Sequence, residues 1–369
     1  MISDFSFPIC VAYGLGAVER LPAELVDRAI HRPMLVTGRE MEGSPVLNRV
    51  CRLMQTCVLF AGIDAEPTEQ NVLDGAETFV IEECDALVAV GDSRVMNASK
   101  AIRLKIHHPH PLSEYAFGIS PMATITSEMP PLVTVPVLGG CGGEVSALAT
   151  VVTRGKRKVT IQSKYLAPTL ALVDPELSLT TSPWETAVAG MEALGYSVDA
   201  YFAKPFHPLC EALAADSVRL THQHLPQAVS EGRNLEARSG LASASLLAGA
   251  ASAKGGGLAR SLATAISLAA GVADGVAMAC VLPAVVNFLP ESERDRIERL
   301  ERLLTVASLT QALVDLRKQV GLDVSLRSLG IRQQDLADLA QASYADTAHL
   351  ESPRACDLQD FRALYEQCW

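Results

Sequence analysis

The segment VAVGDSRVMNASKAI (88–102) decides the fold class, because it runs strand, tight turn and helix within one short stretch. Working outward, PMLVTG (33–38), TCVLFAGI (56–63), DALVAVG (85–91) and PLVTVPV (131–137) are β-branched apolar runs. That is the pattern of parallel strands buried on both faces. Between them LNRVCRLMQ (47–55) and NVLDGAETFVIEE (71–83) carry helical periodicity, and KVTIQS (158–163) and TLALVD (169–174) read as further strands. The alternation predicts a doubly wound, mostly parallel α/β domain of Rossmann-like type. After LTTSPWETA (179–187) strand signals vanish. Long Ala- and Leu-rich helices follow, separated by turns at Pro205-Phe206, Glu231-Gly232 and Leu289-Pro290. The expected division is an α/β, nucleotide-binding-type domain over 1–180 and an all-helical domain over 181–369, with the boundary near Ser178–Pro183. A cleft between the two is expected at the carboxyl ends of the strands. Both Gly-rich segments fall there, 88–102 and VPVLGGCGGEV (135–145).

The chain has 369 residues, is 49% hydrophobic and 20% charged, and carries a formal net charge of −11 with no basic run. That argues against nucleic acid and anionic membrane surfaces as partners and leaves a small-molecule metabolite. No stretch approaches the ~20 uninterrupted apolar residues of a membrane span. The opening MISDFSFPICVAYG lacks a basic n-region and a signal-type apolar core, so a cytoplasmic location is expected. Nine cysteines are scattered without CxxC or CxH spacing and read as small buried hydrophobes in a reducing compartment. Cys141, in the second Gly-rich loop, is set apart only by its position.

Two apolar helical stretches of the second half hold the candidate chemistry: GMEALGYSVDAY (190–201) and KGGGLARSLATAISLAAGVADG (254–275). Glu192 and Tyr196 are four apart and share a helix face, as do Arg260 and Thr264. With Asp274 they form the framework of a divalent metal site. The residue types, however, are mostly not carboxylate and imidazole.

The order and spacing of several segments resemble the iron-containing (group III) alcohol dehydrogenases of the dehydroquinate synthase-like superfamily. VAYGLGAVERLPAEL (11–25) resembles the family's opening segment, GIDAEPTEQNV (62–72) its Pro-Thr loop, and VDPELSLTTSP (173–183) its DPELT stretch. GMEALGYSVDAY is similar to GMDALTHAIEAY, and Ser352-Pro353-Arg354 stands where that family often has Asn-Pro-Arg. The resemblance covers nearly the whole chain and implies a dehydroquinate synthase-like fold and a homodimer paired through the N-terminal strand. The family's metal is held by an Asp, a His and two further His residues, and at those positions stand Glu192, Tyr196, Arg260 and Asp274. A further family His near the reacting carbonyl is Thr264. A guanidinium neither deprotonates nor ligates a cation, so no metal is expected here.

The resemblance assigns a nicotinamide cofactor to Gly91, Ser93, Arg94, Gly140, Gly142 and Gly143, with departures. Asp92 places a charge where a phosphate would approach, Arg94 offsets it, and Asn97 replaces an Asp. Val137 and Leu138 replace two Thr hydroxyls. After the second strand, where an acid commonly holds the ribose 2′-OH of NAD, stands Thr37-Gly38-Arg39. Arg39 there favours NADP(H) over NAD(H) if a nucleotide binds.

Plainer roles stand beside these. Glu192 and Arg260 also suit a buried ion pair, Asp274 a turn or helix cap, Tyr196 simple packing, and Asp92-Ser93 an N-cap. His107, His108 and His110 read as a solvated loop, His222 and His224 face different ways, and His207 reads as structural. Three functions are compatible. The favoured one is a metal-independent enzyme in which Arg260 polarises the carbonyl of a small anionic metabolite, Tyr196 moves a proton and Glu192 or Asp274 acts as base. An NADP(H)-dependent aldehyde reductase without metal is the second. A non-catalytic binding homologue is the third.

Overall fold

The computed structural model describes residues 9–369, so the opening Met1–Pro8 and what was expected of it lie outside the described residues. The chain divides into two compact units, one running to Leu179 and the other comprising Thr180–Trp369.

The α/β unit runs β1 (Cys10–Tyr13), α1 (Leu21–Asp27), β2 (Pro33–Gly38), α2 (Pro45–Met54), β3 (Val58–Ile63), α3 (Glu69–Ile81), β4 (Ala86–Gly91), α4 (Ser93–His107), β5 (Leu132–Pro136), β6 (Leu148–Val152), β7 (Lys158–Gln162) and β8 (Leu170–Val173). The main sheet has the order β1-β8-β5-β4-β2-β3, with every pairing parallel. Strand alternation decides which face each side chain serves. Met34, Val36, Leu87 and Ala89 pack with α3 and α4 residues such as Val72, Phe79 and Ile102. Leu35, Val88 and Val90 pack with Leu21, Leu25, Leu47 and Val50 of α1 and α2. Each such buried Val or Leu contributes about 1.5–3 kcal/mol, so both helical layers are held on.

Two strands are absent from the sequence reading. β1 is an edge strand whose side chains are mostly exposed, so it lacks the apolar signature. β6 pairs antiparallel with β7 in a separate ribbon, which removes 158–163 from the main sheet.

The helical unit runs α5 (Pro183–Phe202), α6 (Pro208–Ser230), α7 (Leu235–Ala251), α8 (Leu258–Ala270), α9 (Asp274–Phe288), α10 (Arg294–Leu304), α11 (Leu309–Gln319), α12 (Leu336–Ala345) and α13 (Leu358–Cys368). α5 starts at a capping box, Ser182 with Glu185, and Pro183 adds the preset φ of a first-turn residue. It is central, packing against α6, α7, α8 and α9. Small residues let it approach its neighbours. A Cβ on Gly190 would strike Leu225, and one on Gly195 would strike Met278. Among the described residues no single helix is long and apolar enough to cross a membrane.

The stretch 254–275 is not one helix. Gly255–Gly257 precede α8, and Gly271, in the left-handed region, ends it. Asp274 therefore opens α9 and does not sit on the helix that carries Arg260 and Thr264.

Candidate functional site

In the α/β unit, β4 and β5 lie side by side and the loops leaving them meet. The Val137 N–H donates to the Gly91 carbonyl at 2.9 Å. A Cβ on Gly143 would lie 2.8 Å from the Met96 Cβ and 3.7 Å from the Ser93 carbonyl oxygen, so glycine lets the second loop rest on the first turn of α4. Gly91 and Gly143 thus join the second loop to the first turn of α4. Glycine backbone at a helix N-terminus is the kind of place where a pyrophosphate can approach, and Ser93, Gly140 and Gly142 belong to the same two segments.

The charged residues around it have partners. The Asp92 carboxylate accepts the Arg94 N–H at 3.0 Å and caps α4, as its residue type suggests. The Arg94 guanidinium lies 2.6 Å from Asp92 Oδ2 and 2.9 Å from Glu40 Oε1. Burial opposes its charge, but the Asp92 and Glu40 carboxylates raise its pKa above the usual arginine value. Its charge is therefore largely spent inside the protein. Arg39 donates from Nε to Asp64 Oδ1 at 2.9 Å. Lys100, not singled out by sequence, is fully buried and donates to Ser146 Oγ at 3.0 Å. Burial pushes its pKa down to about 8, against the pull of Cys141 and Glu144.

In the helical unit, Glu192 and Tyr196 are buried on one face of α5. Arg260 and Thr264, one turn apart on α8, are half-buried. The Arg260 guanidinium carbon lies 5.7 Å from the centroid of the Tyr196 ring, so these two are brought together. Asp274 accepts from Ser267 Oγ at 2.6 Å. A Cβ on the next residue, Gly275, would fall 1.9 Å from the Val188 carbonyl oxygen. That close approach sets the start of α9 against the turn of α5 that precedes Glu192.

Three carboxylates missed by the sequence reading complete the cluster. Asp199, one turn beyond Tyr196, accepts the backbone N–H groups of Ala259 and Arg260 at 3.1 and 2.8 Å. Its carboxyl is pushed up to about 6 by burial, against those amides and the Arg260 charge. Glu351 accepts the Gly256 N–H at 2.6 Å, and Asp346 accepts from Ser261 Oγ at 2.5 Å. Burial opposes the Arg260 charge, but Tyr196, Asp346, Asp199 and Glu351 together raise its pKa.

Three successive glycines make room for these groups. A Cβ on Gly255 would meet Glu351, one on Gly256 the Arg260 guanidinium, and one on Gly257 the Asp199 carboxylate. The i, i+4, i+7 spacing of Glu192, Tyr196 and Asp199 was the available signal for Asp199. Asp346 and Glu351 come from a distant segment and leave no local trace.

Three histidines serve structure. His207 caps α6 by accepting the Cys210 N–H, and His224 lies against Gly240. His108 is buried and accepts the Thr126 N–H at 2.9 Å, so it is not part of a solvated loop. Among the described residues no group of three or more His, Cys, Asp or Glu side chains is arranged to hold a metal ion. The set Glu192, Tyr196, Arg260 and Asp274 does not fit a divalent cation, because Arg260 brings positive charge and no lone pair.

Residues 8–175 match the model of the iron-containing alcohol dehydrogenases, and residues 186–369 match that of the C-terminal region of the same family. The chain belongs to the iron-containing alcohol dehydrogenase family. Among curated members of that family, it is 30% identical to a 4-hydroxybutyrate dehydrogenase of Cupriavidus necator, over 95% of this chain and 96% of the relative. It is 31% identical to a 1,3-propanediol dehydrogenase of Klebsiella pneumoniae, over 84% and 83%. The crystal structure of a 1,3-propanediol oxidoreductase superposes with a TM-score of 0.94 at 27% identity, covering 100% of both chains. These relatives are dehydrogenases of small alcohols or hydroxy acids, and the parallel α/β sheet followed by a helical region is the family's fold.

Proposed function

We propose that this chain is a nicotinamide-dependent dehydrogenase of a small, anionic alcohol–carbonyl pair, and that it works without a metal. The observation that carries the reading is Arg260, a permanent cation held over Tyr196 at a family metal-ligand position. A bound nicotinamide would supply or accept the hydride. In reduction, the Arg260 guanidinium takes up the negative charge that develops on the carbonyl oxygen, and the Tyr196 hydroxyl donates the proton that completes the alcohol. Solvent then reprotonates Tyr196, so charge and protons balance. Thr264, one turn from Arg260, lines the same helix face. Asp346, Asp199 and Glu351 keep the region anionic enough to hold the guanidinium. The Cupriavidus relative is named for a substrate with a carboxylate, which a guanidinium would also recognise through a bidentate fork.

This ordering differs from the one favoured on sequence alone, where metal-free acid–base chemistry, which requires no hydride, came first. The kinship with dehydrogenases moves hydride transfer ahead. One observation still favours the alternative: the Asp92 carboxylate occupies the Arg94 amide in the first turn of α4, where a phosphate would bind.

The test compares turnover of 4-hydroxybutyrate and 1,3-propanediol with NAD+ or NADP+ in wild type and Arg260→Ala. The proposal expects the acid to be preferred and kcat/KM to fall about 10²–10³-fold in the variant, with partial rescue by added guanidinium. An undiminished rate in Arg260→Ala would overturn the role of Arg260. Reduction of neither cofactor with either substrate would overturn the dehydrogenase reading.

A further inference from the structure

At the carboxyl end of β2, the strand beside the Gly-rich strand β4, an acidic side chain normally accepts the ribose 2′-OH of NAD. Position 38 there is glycine, whose φ of −79° is open to any residue. Its side-chain space is not vacant. A Cβ on Gly38 would lie 2.5 and 2.6 Å from the two carboxylate oxygens of Glu40. Glu40 folds back over the glycine, so its carboxylate stands where the side chain of an acid at position 38 would stand. Its Oε1 meets the Arg94 guanidinium at 2.9 Å, which ties it to the first turn of α4. A carboxylate has about four lone-pair sites, so acceptor capacity remains.

The surrounding charge points the same way. Arg39, which the sequence offered for a 2′-phosphate, is paired with Asp64, and Arg94 is shared between Asp92 and Glu40. Both cations are paired with carboxylates within hydrogen-bond range, so neither stands ready for a dianionic phosphate. Glu40 is half-exposed, so it is accessible to a ligand.

We infer that Glu40, lodged in the side-chain space of Gly38, is the residue that selects NAD(H) over NADP(H). The inference rests on the proposal that a nicotinamide dinucleotide binds at all. It replaces the NADP(H) preference that Gly38-Arg39 suggests by sequence.

Binding can be read without turnover, by calorimetric titration of NAD+ and NADP+ into wild type, Glu40→Gln, Gly38→Ala and the double variant Gly38→Asp/Glu40→Gln. Losing a hydrogen bond to a charged acceptor is worth about 10-fold or more. Wild type is expected to bind NAD+ at least about 10-fold more tightly than NADP+. Glu40→Gln should bring the two affinities to within about threefold, and Gly38→Ala, which displaces the carboxylate, should shift the ratio in the same direction. The double variant should restore NAD+ preference. A wild-type preference for NADP+, or an unchanged ratio in Glu40→Gln, overturns the inference and leaves the dehydrogenase proposal standing. Saturable binding of neither dinucleotide overturns both.

Discussion

Asp199 on α5 and Arg260 on α8 are joined through the backbone. The Asp199 carboxylate accepts the Arg260 N–H at 2.8 Å and the neighbouring Ala259 N–H at 3.1 Å. A buried side chain of one helix thus satisfies the first amides of another, where negative charge complements the helix dipole. The proposed catalytic cation is thereby fixed by its main chain as well as by its surroundings.

Removing that acceptor leaves two buried amides unpaired. Asp199→Ala should lower the unfolding free energy by about 2 kcal/mol, since the lost bonds outweigh the relief of burying a carboxylate. Asp199→Asn, which keeps one acceptor oxygen, should recover about half. Urea unfolding of the three proteins checks this, and an Asp199→Ala protein as stable as wild type would contradict it.

Gly256 tests whether the place of Arg260 matters apart from its presence. A Cβ there would fall 2.2 Å from the guanidinium, the flexible end of a side chain, and 3.0 Å from the Ala348 Cβ, which has to give by only a few tenths of an ångström. Gly256→Ala should therefore stay folded, with a melting temperature within a few degrees of wild type. Its kcat should nevertheless fall about 10²-fold, the usual cost of roughly 1 Å of misplacement. Steady-state kinetics beside thermal melts separate the two effects.

The α/β pattern was legible because both sheet faces are covered: Met34, Leu35 and Val36 must all be apolar, whichever way they point. β1 was not, because Val11 and Tyr13 are exposed at the sheet edge. The break between α8 and α9 was hidden by a run of Ala and Leu in which Gly271 is a single weak signal. In the candidate site, residues on one helix face were readable from spacing. Asp346 and Glu351, and the folding back of Glu40 over Gly38, depend on tertiary placement that spacing cannot encode.

Lys100 gives the pH prediction. Its pKa falls from the ordinary 10.5 to about 8 on folding, because burial disfavours the charged form. Between those values the unfolded chain binds more protons than the folded one, so stability rises with pH. Below about pH 8 both forms are protonated and the full penalty, on the order of 3 kcal/mol, applies. Wild type should gain stability relative to Lys100→Met between pH 8 and 10, measured as the difference in urea midpoints. A difference that stays flat across that range would show that Lys100 is not titrating there.

The central claim is that Arg260 replaces the family's metal in the chemistry. The most direct measurement is elemental analysis of purified, active protein, paired with turnover before and after exhaustive chelation. Far less than one equivalent of Fe, Zn, Ni or Mn per chain and a rate unaffected by chelation are expected. One equivalent of bound metal, with activity lost on its removal and regained on its return, would contradict it.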